Sequence, residues 1–221
     1  MMDNLAVVMV TCNKYSYLWG AWYHYYKANF QHSQQEYFIS DSEECPFEEF
    51  THLKYKTIDV NGWSGAIRGC IEKIPHDNIF FLLDDLFFNK PISNILQALN
   101  AVFNAYDMDS LRIIMKDSAA TAVKTELSLN GAFIRQLKPN SKYLVSYVPN
   151  IFKRSVLLDF LSVNESPWSS EVKGSTRVRS KGYKIFDYHY PDWYVNSVVK
   201  GVMTPQGKLM LDSYNRKPNA I

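Results

Sequence analysis

The stretch Asn78-Ile79-Phe80-Phe81-Leu82-Leu83-Asp84-Asp85-Leu86-Phe87-Phe88 constrains this chain more than any other. An apolar run leads into two adjacent carboxylates, and three more apolar residues follow. An unbroken apolar run of this length suits a strand buried on both faces, as in the middle of a parallel sheet. Carboxylates are rarely buried without a partner. The strand is therefore expected to end at Asp84-Asp85, on the carboxyl edge of the sheet, where open α/β folds bind their ligands. Two acids there invite a divalent cation and the anion it carries. An acidic turn or a helix N-cap pair is the competing reading of the same two residues.

A second continuous apolar strand is expected over residues 5–10, ending at Thr11-Cys12-Asn13-Lys14. Residues 15–30 follow as a helix that Ser16 is placed to cap. Strand, polar turn and helix make the first half of a βαβ unit. The turn has neither GxGxxG nor GxxxxGK[ST], which speaks against a dinucleotide fold and a P-loop. Thr11, Asn13 and Lys14 can still offer donors to a nucleotide beside a helix N-terminus; otherwise they form a plain polar turn. Residues 36–40 read as a short strand stopped by Asp41, where an acid often accepts from a ribose or base. Residues 54–60 are expected as a third strand. A turn at residues 61–64 then leads to a helix over 65–74 that carries Arg68. With the strand at 78, this is a doubly wound half-sheet with short links. Its strand ends bring Thr11 to Lys14, Asp41, Ser64, Arg68, Asp84 and Asp85 to one edge.

The second half is less regular. Residues 92–106 have helical spacing, and 111–115 read as a strand with Arg112 inside it. Residues 121–140, with Asn130, Gly131, Pro139 and Asn140, suggest short strands joined by turns, or a loop. Strands are expected at 143–148, 182–190 and 194–199, and helices over 151–161 and from Pro167 onward. Pro205-Gln206-Gly207-Lys208 reads as a hairpin turn before a strand at 209–211, with a loose polar tail from Asp212. Arg177, Arg179 and Lys181 read as a solvated basic loop.

A net charge of +2 gives no reason to expect nucleic acid or an anionic membrane as an obligatory partner. Cys12, Cys45 and Cys70 lack any CxxC spacing, which suits a reducing compartment without structural zinc or disulfides. The chain has no apolar stretch of the ~18 residues a membrane span needs, and its first residues do not resemble a secretory signal. The expectation is a soluble, cytoplasmic protein.

These residues together resemble the nucleotide-sugar-dependent glycosyltransferases of the GT-A fold. The resemblance rests on Thr11-Cys12-Asn13 after the first strand, on Asp41, and on Gly62-Trp63-Ser64-Gly65-Ala66-Ile67-Arg68. Leu82-Leu83-Asp84-Asp85-Leu86-Phe87-Phe88 stands where such enzymes keep an Asp-x-Asp motif. The later Ile151-Phe152-Lys153-Arg154-Ser155-Val156-Leu157 and Pro167-Trp168-Ser169-Ser170-Glu171 resemble a bacterial and viral subset of them. The chain departs from the pattern in one respect: it has Asp-Asp-Leu where Asp-x-Asp is usual. The resemblance implies a single α/β domain over residues 1–221, with a Rossmann-like, mixed but mainly parallel sheet flanked by helices. Residues 1–110 would form the nucleotide-sugar half and 111–221 a smaller acceptor-side half.

The resemblance also implies roles. Thr11, Asn13, Lys14, Asp41, Ser64, Arg68 and Asp84 would bind a nucleoside-diphosphate-sugar donor. Mn²⁺ or Mg²⁺ would be held by Asp85, helped by His189, since hard oxygen ligands suit either ion. Glu171 would act as general base on an acceptor hydroxyl in an inverting transfer. Trp168 and Trp193 would stack on a carbohydrate acceptor, and about two of Trp63, Trp168, Tyr188, Trp193 and Tyr194 are expected in the site. Two other functions stay open: a nucleotide-sugar-binding protein without turnover, and a nucleotidyltransferase. The second is disfavoured because the loop Thr11-Cys12-Asn13-Lys14-Tyr15-Ser16 is not rich in glycine.

Overall fold

The apolar run before the acid pair is strand β4 (Asn78–Leu83), parallel to β1 (Leu5–Val10) from Leu5 opposite Asn78 to Val10 opposite Leu83. A computed structural model describes residues 4–30, 35–56, 59–116 and 122–216 of the chain. β2 (Glu36–Ser40) and β3 (Phe50–Lys54) continue the parallel set beyond β1. On the other side of β4, β9 (Asn150–Lys153) is inserted antiparallel, and β6 (Ser110–Ile114) and β10 (Ile185–His189) follow, parallel to each other. A hairpin of β7 (Ala122–Leu129) and β8 (Ala132–Leu137) closes the sheet. The nine strands run in the order β3-β2-β1-β4-β9-β6-β10-β8-β7, so one mixed, mostly parallel sheet passes through both halves of the chain.

Side chains alternate across a strand, so a continuous apolar run feeds two cores. Leu5, Val7, Met9, Phe80 and Leu82 face one core; Ala6, Val8, Val10, Ile79 and Phe81 face the other. Helices α1 (Ser16–Asn29), α3 (Ser93–Ala105) and α6 (Pro205–Asn215) cover the first. Helices α2 (Trp63–Ile71), α4 (Arg154–Phe160) and α5 (Pro167–Ser180) cover the second. Each large apolar side chain fully buried this way contributes about 1.5–3 kcal/mol. A polar residue in β1 or β4 would therefore be costly whichever way it faced.

Several local expectations are corrected. β3 lies at Phe50–Lys54, earlier than the expected 54–60, and residues 57 and 58 fall outside the described residues. Ser16 does not cap α1: a 3-10 turn at Asn13–Tyr15 leads straight into the helix, and Ser16 is its first residue. The expected strand at 143–148 is irregular, because α5 supplies the hydrogen bonds that a neighbouring strand would have made. Ser175 Oγ donates to Val145 O at 3.0 Å and accepts from Val145 N at 3.1 Å, while Glu171 Oε1 accepts from Tyr147 N at 2.9 Å. The helix expected over 151–161 begins as β9, since Asn150, Ile151 and Phe152 are buried between β4 and β6.

Pro205-Gln206-Gly207-Lys208 opens α6. Thr204 Oγ1 accepts from Gly207 N at 3.0 Å and Pro205 stands at the first helical position, a strong helix start. Asp212, expected in a loose tail, is helical, and residues 217–221 are outside the described set. Arg177 and Arg179 are not on a solvated loop. They lie on α5, Arg177 holding both oxygens of Glu165 at 2.8 Å and Arg179 reaching Ser141 O at 2.7 Å.

Candidate active site

The acid pair is a corner. β4 ends at Leu83, Asp84 and Asp85 make a turn, and β5 (Leu86–Phe88) leaves the large sheet to pair with β11 (Tyr194–Asn196). Thr11, at the parallel end of β1, donates its hydroxyl to Asp84 Oδ2 and accepts from Trp19 Nε1 at 2.8 Å. Tyr55 Oη donates to Thr11 O at 2.9 Å and fixes the same strand end from the other side. Burial, followed by the charge of Asp85, holds the Asp84 carboxyl well above the usual carboxylate range despite the Thr11 hydroxyl. Burial pushes Asp85 up to about 6.

Asp85 is clamped through its backbone. Ser197 N and Oγ both donate to Asp85 O, at 2.6 and 3.0 Å. Its side chain is less committed: Asp85 Oδ1 is buried and has no hydrogen-bond partner among the described residues. A buried polar atom without a partner is uncommon and suits a ligand that supplies one.

A cleft opens over this corner. Val10, Thr11, Cys12 and Tyr15 line it from β1 and the following turn, Trp63 from α2, and Leu83, Asp84 and Asp85 from the end of β4. Tyr147, then Pro167 and Trp168 at the start of α5, form the facing wall. Val198, Lys200 and Gly201 complete it from the hairpin of β12 (Val198–Val199) and β13 (Val202–Met203). A larger hollow of about 540 Å³ lies on the far side of that hairpin, beside Tyr194 and Pro205. The first cleft is the candidate because it sits at the carboxyl ends of the adjacent parallel strands β1 and β4, over the acid corner. The Cys12 thiol in the cleft is pushed up by burial and by Asp84, so it stays protonated and is a poor nucleophile.

The residues singled out from the sequence divide. Thr11, Asp84, Asp85 and Trp168 are brought together in the cleft. Asn13 and Asp41 are linked behind its rim, Asp41 Oδ1 accepting from Asn13 N at 2.6 Å, and Lys14 lies beside Tyr15, its ammonium 5.7 Å from the ring centre. None of these three is on the cleft wall. Ser64 is fully buried and braces the fold, its hydroxyl accepting from Ser162 N at 3.0 Å. Arg68 turns toward α4, donating to the carbonyls of Leu158 and Leu161 and pairing with Glu72 at 3.1 Å. Glu171 stands behind Tyr147, half-buried on α5. Burial pushes its carboxyl up, against the Tyr147 N–H and the Arg112 charge.

Two expectations fail on position. Trp193 has no exposed surface and packs against Phe88, Tyr190 and Tyr194, so it belongs to the core. His189 ends β10, three strands from β4, or roughly 14 Å at ordinary strand spacing. Its Nε2 bonds Met115 O at 2.8 Å, so it is not a partner of Asp85. Of the five aromatics considered, Trp63 and Trp168 line the cleft, while Tyr188, Trp193 and Tyr194 are buried. Sequence reasoning missed Tyr147 and Lys200. The first lay in a segment read as a strand, and the second just beyond the strand expected at 194–199; its Lys-Gly pair was the available signal.

The resemblance read from the sequence implies a divalent cation, and the residues present fit one in a limited way. Asp85 offers one hard, partnerless oxygen, and Asp84 is engaged with Thr11. Among the described residues no three His, Cys, Asp or Glu side chains gather as a ligand set. That arrangement suits a Mg²⁺ or Mn²⁺ held by one carboxylate and completed by phosphate oxygens and water.

No protein-family model matches the sequence, and no curated protein matches it either. Solved structures do match in fold. S. aureus TarS 1-349 in complex with UDP-GlcNAc aligns with a TM-score of 0.62 at 13% identity, over 90% of this chain and 60% of that one. The chain thus spans 60% of TarS 1-349 and 37% of the longer TarS structure. CMP:2-keto-3-deoxy-manno-octonic acid synthetase complexed with CTP aligns at 0.57 and 14% identity, over 97% of this chain and 100% of that one. UDP-glucose pyrophosphorylase complexed with UDP-glucose aligns at 0.58 and 10% identity, over 98% and 100%. At these identities the likeness establishes the shared α/β fold. No described helix is long and apolar enough to cross a membrane.

Proposed function

We propose that this chain is a glycosyltransferase that moves a sugar from a nucleoside-diphosphate sugar to a carbohydrate hydroxyl. The observation that carries the proposal is the acid corner Asp84-Asp85 at the carboxyl end of β4, beside the Thr11 turn, in a cleft walled by Trp63, Tyr147 and Trp168. A nucleotide placed at the end of β1 directs its phosphates toward Asp85. A bound Mn²⁺ or Mg²⁺ would offset the charge that the leaving diphosphate gains. Trp63 and Trp168 offer aromatic faces to the partly apolar faces of sugar rings. Glu171, half-buried behind Tyr147 rather than on the cleft wall and raised by burial, is the carboxylate we assign as general base for the acceptor proton in an inverting reaction. The likeness in fold to TarS bound to UDP-GlcNAc makes UDP-sugars the first donors to try.

The test is a thermal-shift panel of nucleoside diphosphates and their sugars, with and without Mn²⁺. A ligand that binds only the folded state raises the melting temperature by linkage, and no shift with any member would overturn the proposal. Glu171→Gln is expected to abolish transfer while donor binding is retained. If donor binding disappears instead, Glu171 is a structural brace for Tyr147.

A second reading is nucleotidyl transfer. It draws on the match in fold to two nucleotide-handling enzymes over their whole length, against 60% for TarS 1-349. Incubation with a nucleoside triphosphate and a sugar phosphate separates the readings: release of pyrophosphate supports nucleotidyl transfer, and release of a nucleoside diphosphate from a nucleotide sugar supports glycosyl transfer.

A further inference from the structure

We propose that Lys200, at the tip of the β12–β13 hairpin, is the cation that binds the donor's diphosphate over the acid corner. This rests on the cleft being a nucleoside-diphosphate-sugar site. A diphosphate brought beside the Asp85 carboxylate meets like charge, and a metal ion held by that one carboxylate would leave negative charge to be balanced. Among the described residues that line the cleft, Lys200 is the one basic side chain. The two cations suggested by the sequence are elsewhere: Arg68 is tied to the Leu158 and Leu161 carbonyls and to Glu72, and Lys14 lies beside Tyr15, off the cleft wall.

The backbone at Lys200 supports the assignment independently. Lys200 and Gly201 form the two-residue tip with φ of 52° and 77°, both left-handed. Such a tip favours Asn, Asp or Gly at its first position. A lysine there is held in an uncommon conformation, and departures from local preference concentrate at functional sites. No acid among the described residues pairs with Lys200.

The hairpin is also fixed relative to the acids. Ser197, immediately before β12, is the residue whose N–H and hydroxyl clamp the Asp85 carbonyl. Thr204, immediately after β13, returns two bonds to the same place, from its N–H to Ser197 O and from its hydroxyl to Asn196 O, each at 2.8 Å. Gly207 seals the joint: a Cβ there would stand 2.4 Å from Ser197 Cα, so α6 packs directly on this backbone. Lys200 is thereby carried over the cleft by a turn anchored at both ends to the corner that holds Asp85.

Calorimetric titration tests the assignment. The best binder among UDP, CDP, GDP and ADP is compared with its own nucleoside on wild type, Lys200→Met and Lys200→Arg, in the presence of Mg²⁺. Loss of one charge-assisted contact predicts that Lys200→Met weakens the diphosphate by about ten- to hundredfold. The nucleoside affinity is unchanged, and Lys200→Arg recovers most of the loss. Wild-type affinity for the diphosphate falls with added KCl more steeply than that of Lys200→Met. A diphosphate affinity unaltered in Lys200→Met overturns the assignment and leaves the proposed function standing, as does an equal loss for nucleoside and diphosphate. Failure of wild type to bind any diphosphate or nucleoside overturns both.

Discussion

On the floor of the cleft Thr11, Trp19 and Asp84 satisfy one another, while on its rim Trp168 is 65% exposed and Lys200 has no acidic partner among the described residues. The floor is a buried polar network in which each member's loss strands another. The rim can be changed without disturbing the sheet. Placement at a sheet edge thus does not make a residue a ligand contact. Asp84 and Thr11 shape the corner, and the groups there left with something to offer a ligand are the Asp85 oxygen, the Trp168 face and the Lys200 ammonium.

The two tryptophans once paired as acceptor contacts give the sharpest contrast. Trp193→Ala removes a fully buried ring packed on Phe88 and Tyr194, and is expected to cost about 3–5 kcal/mol. Trp168→Ala is expected to change stability by less than about 0.5 kcal/mol while raising KM for the acceptor. Chemical denaturation of both variants checks this. Equal stability losses would erase the distinction between floor and rim.

Thr11→Val probes the floor itself. The valine keeps the shape but strands the Trp19 indole N–H and leaves Asp84 without its hydroxyl donor. The expected loss is about 1–3 kcal/mol, measured by urea unfolding. A loss below that range would mean water replaces the hydroxyl and that the corner is more open than its burial indicates.

How much of this was legible in the sequence follows the same division. The two-sided apolar strands β1 and β4, the turn after β1 and the acid corner follow from burial patterns that read residue by residue, and the structure bears them out. The second half resisted because its hydrogen bonds are non-local. Residues 143–148 look like a strand, but α5 side chains hold their backbone. Phe152, Val156 and Phe160 share a helical spacing although β9 and α4 divide them. Arg68 and Ser64 carry suitable groups in a suitable motif, yet α4 and the loop before α5 take up those groups. Thr204 and Pro205 were a readable helix start, outweighed by the Pro-Gln-Gly-Lys that resembles a turn.

The mildest perturbation concerns charge alone. In Asp84→Asn the amide oxygen still accepts from Thr11 and the shape is kept, while the buried carboxylate is gone. Asp84 titrates well above its ordinary 3.8 when folded, so between that value and its folded pKa the folded chain holds a proton that the unfolded chain has lost. Wild-type stability should therefore fall as pH rises from about 4, with Asp85 adding to the fall up to about 6. Asp84→Asn removes the larger part of that slope. It is expected to melt at roughly 2–5 °C above wild type at pH 7, with the gap closing toward pH 4. Calorimetric melting at pH 4, 5, 6 and 7 measures it. A gap that is absent or reversed at pH 7 would show that Asp84 is ionised and stabilised in the folded protein. The acid would then join Asp85 and Lys200 among the groups available to a ligand, and the line between floor and rim would have to be redrawn through the corner itself.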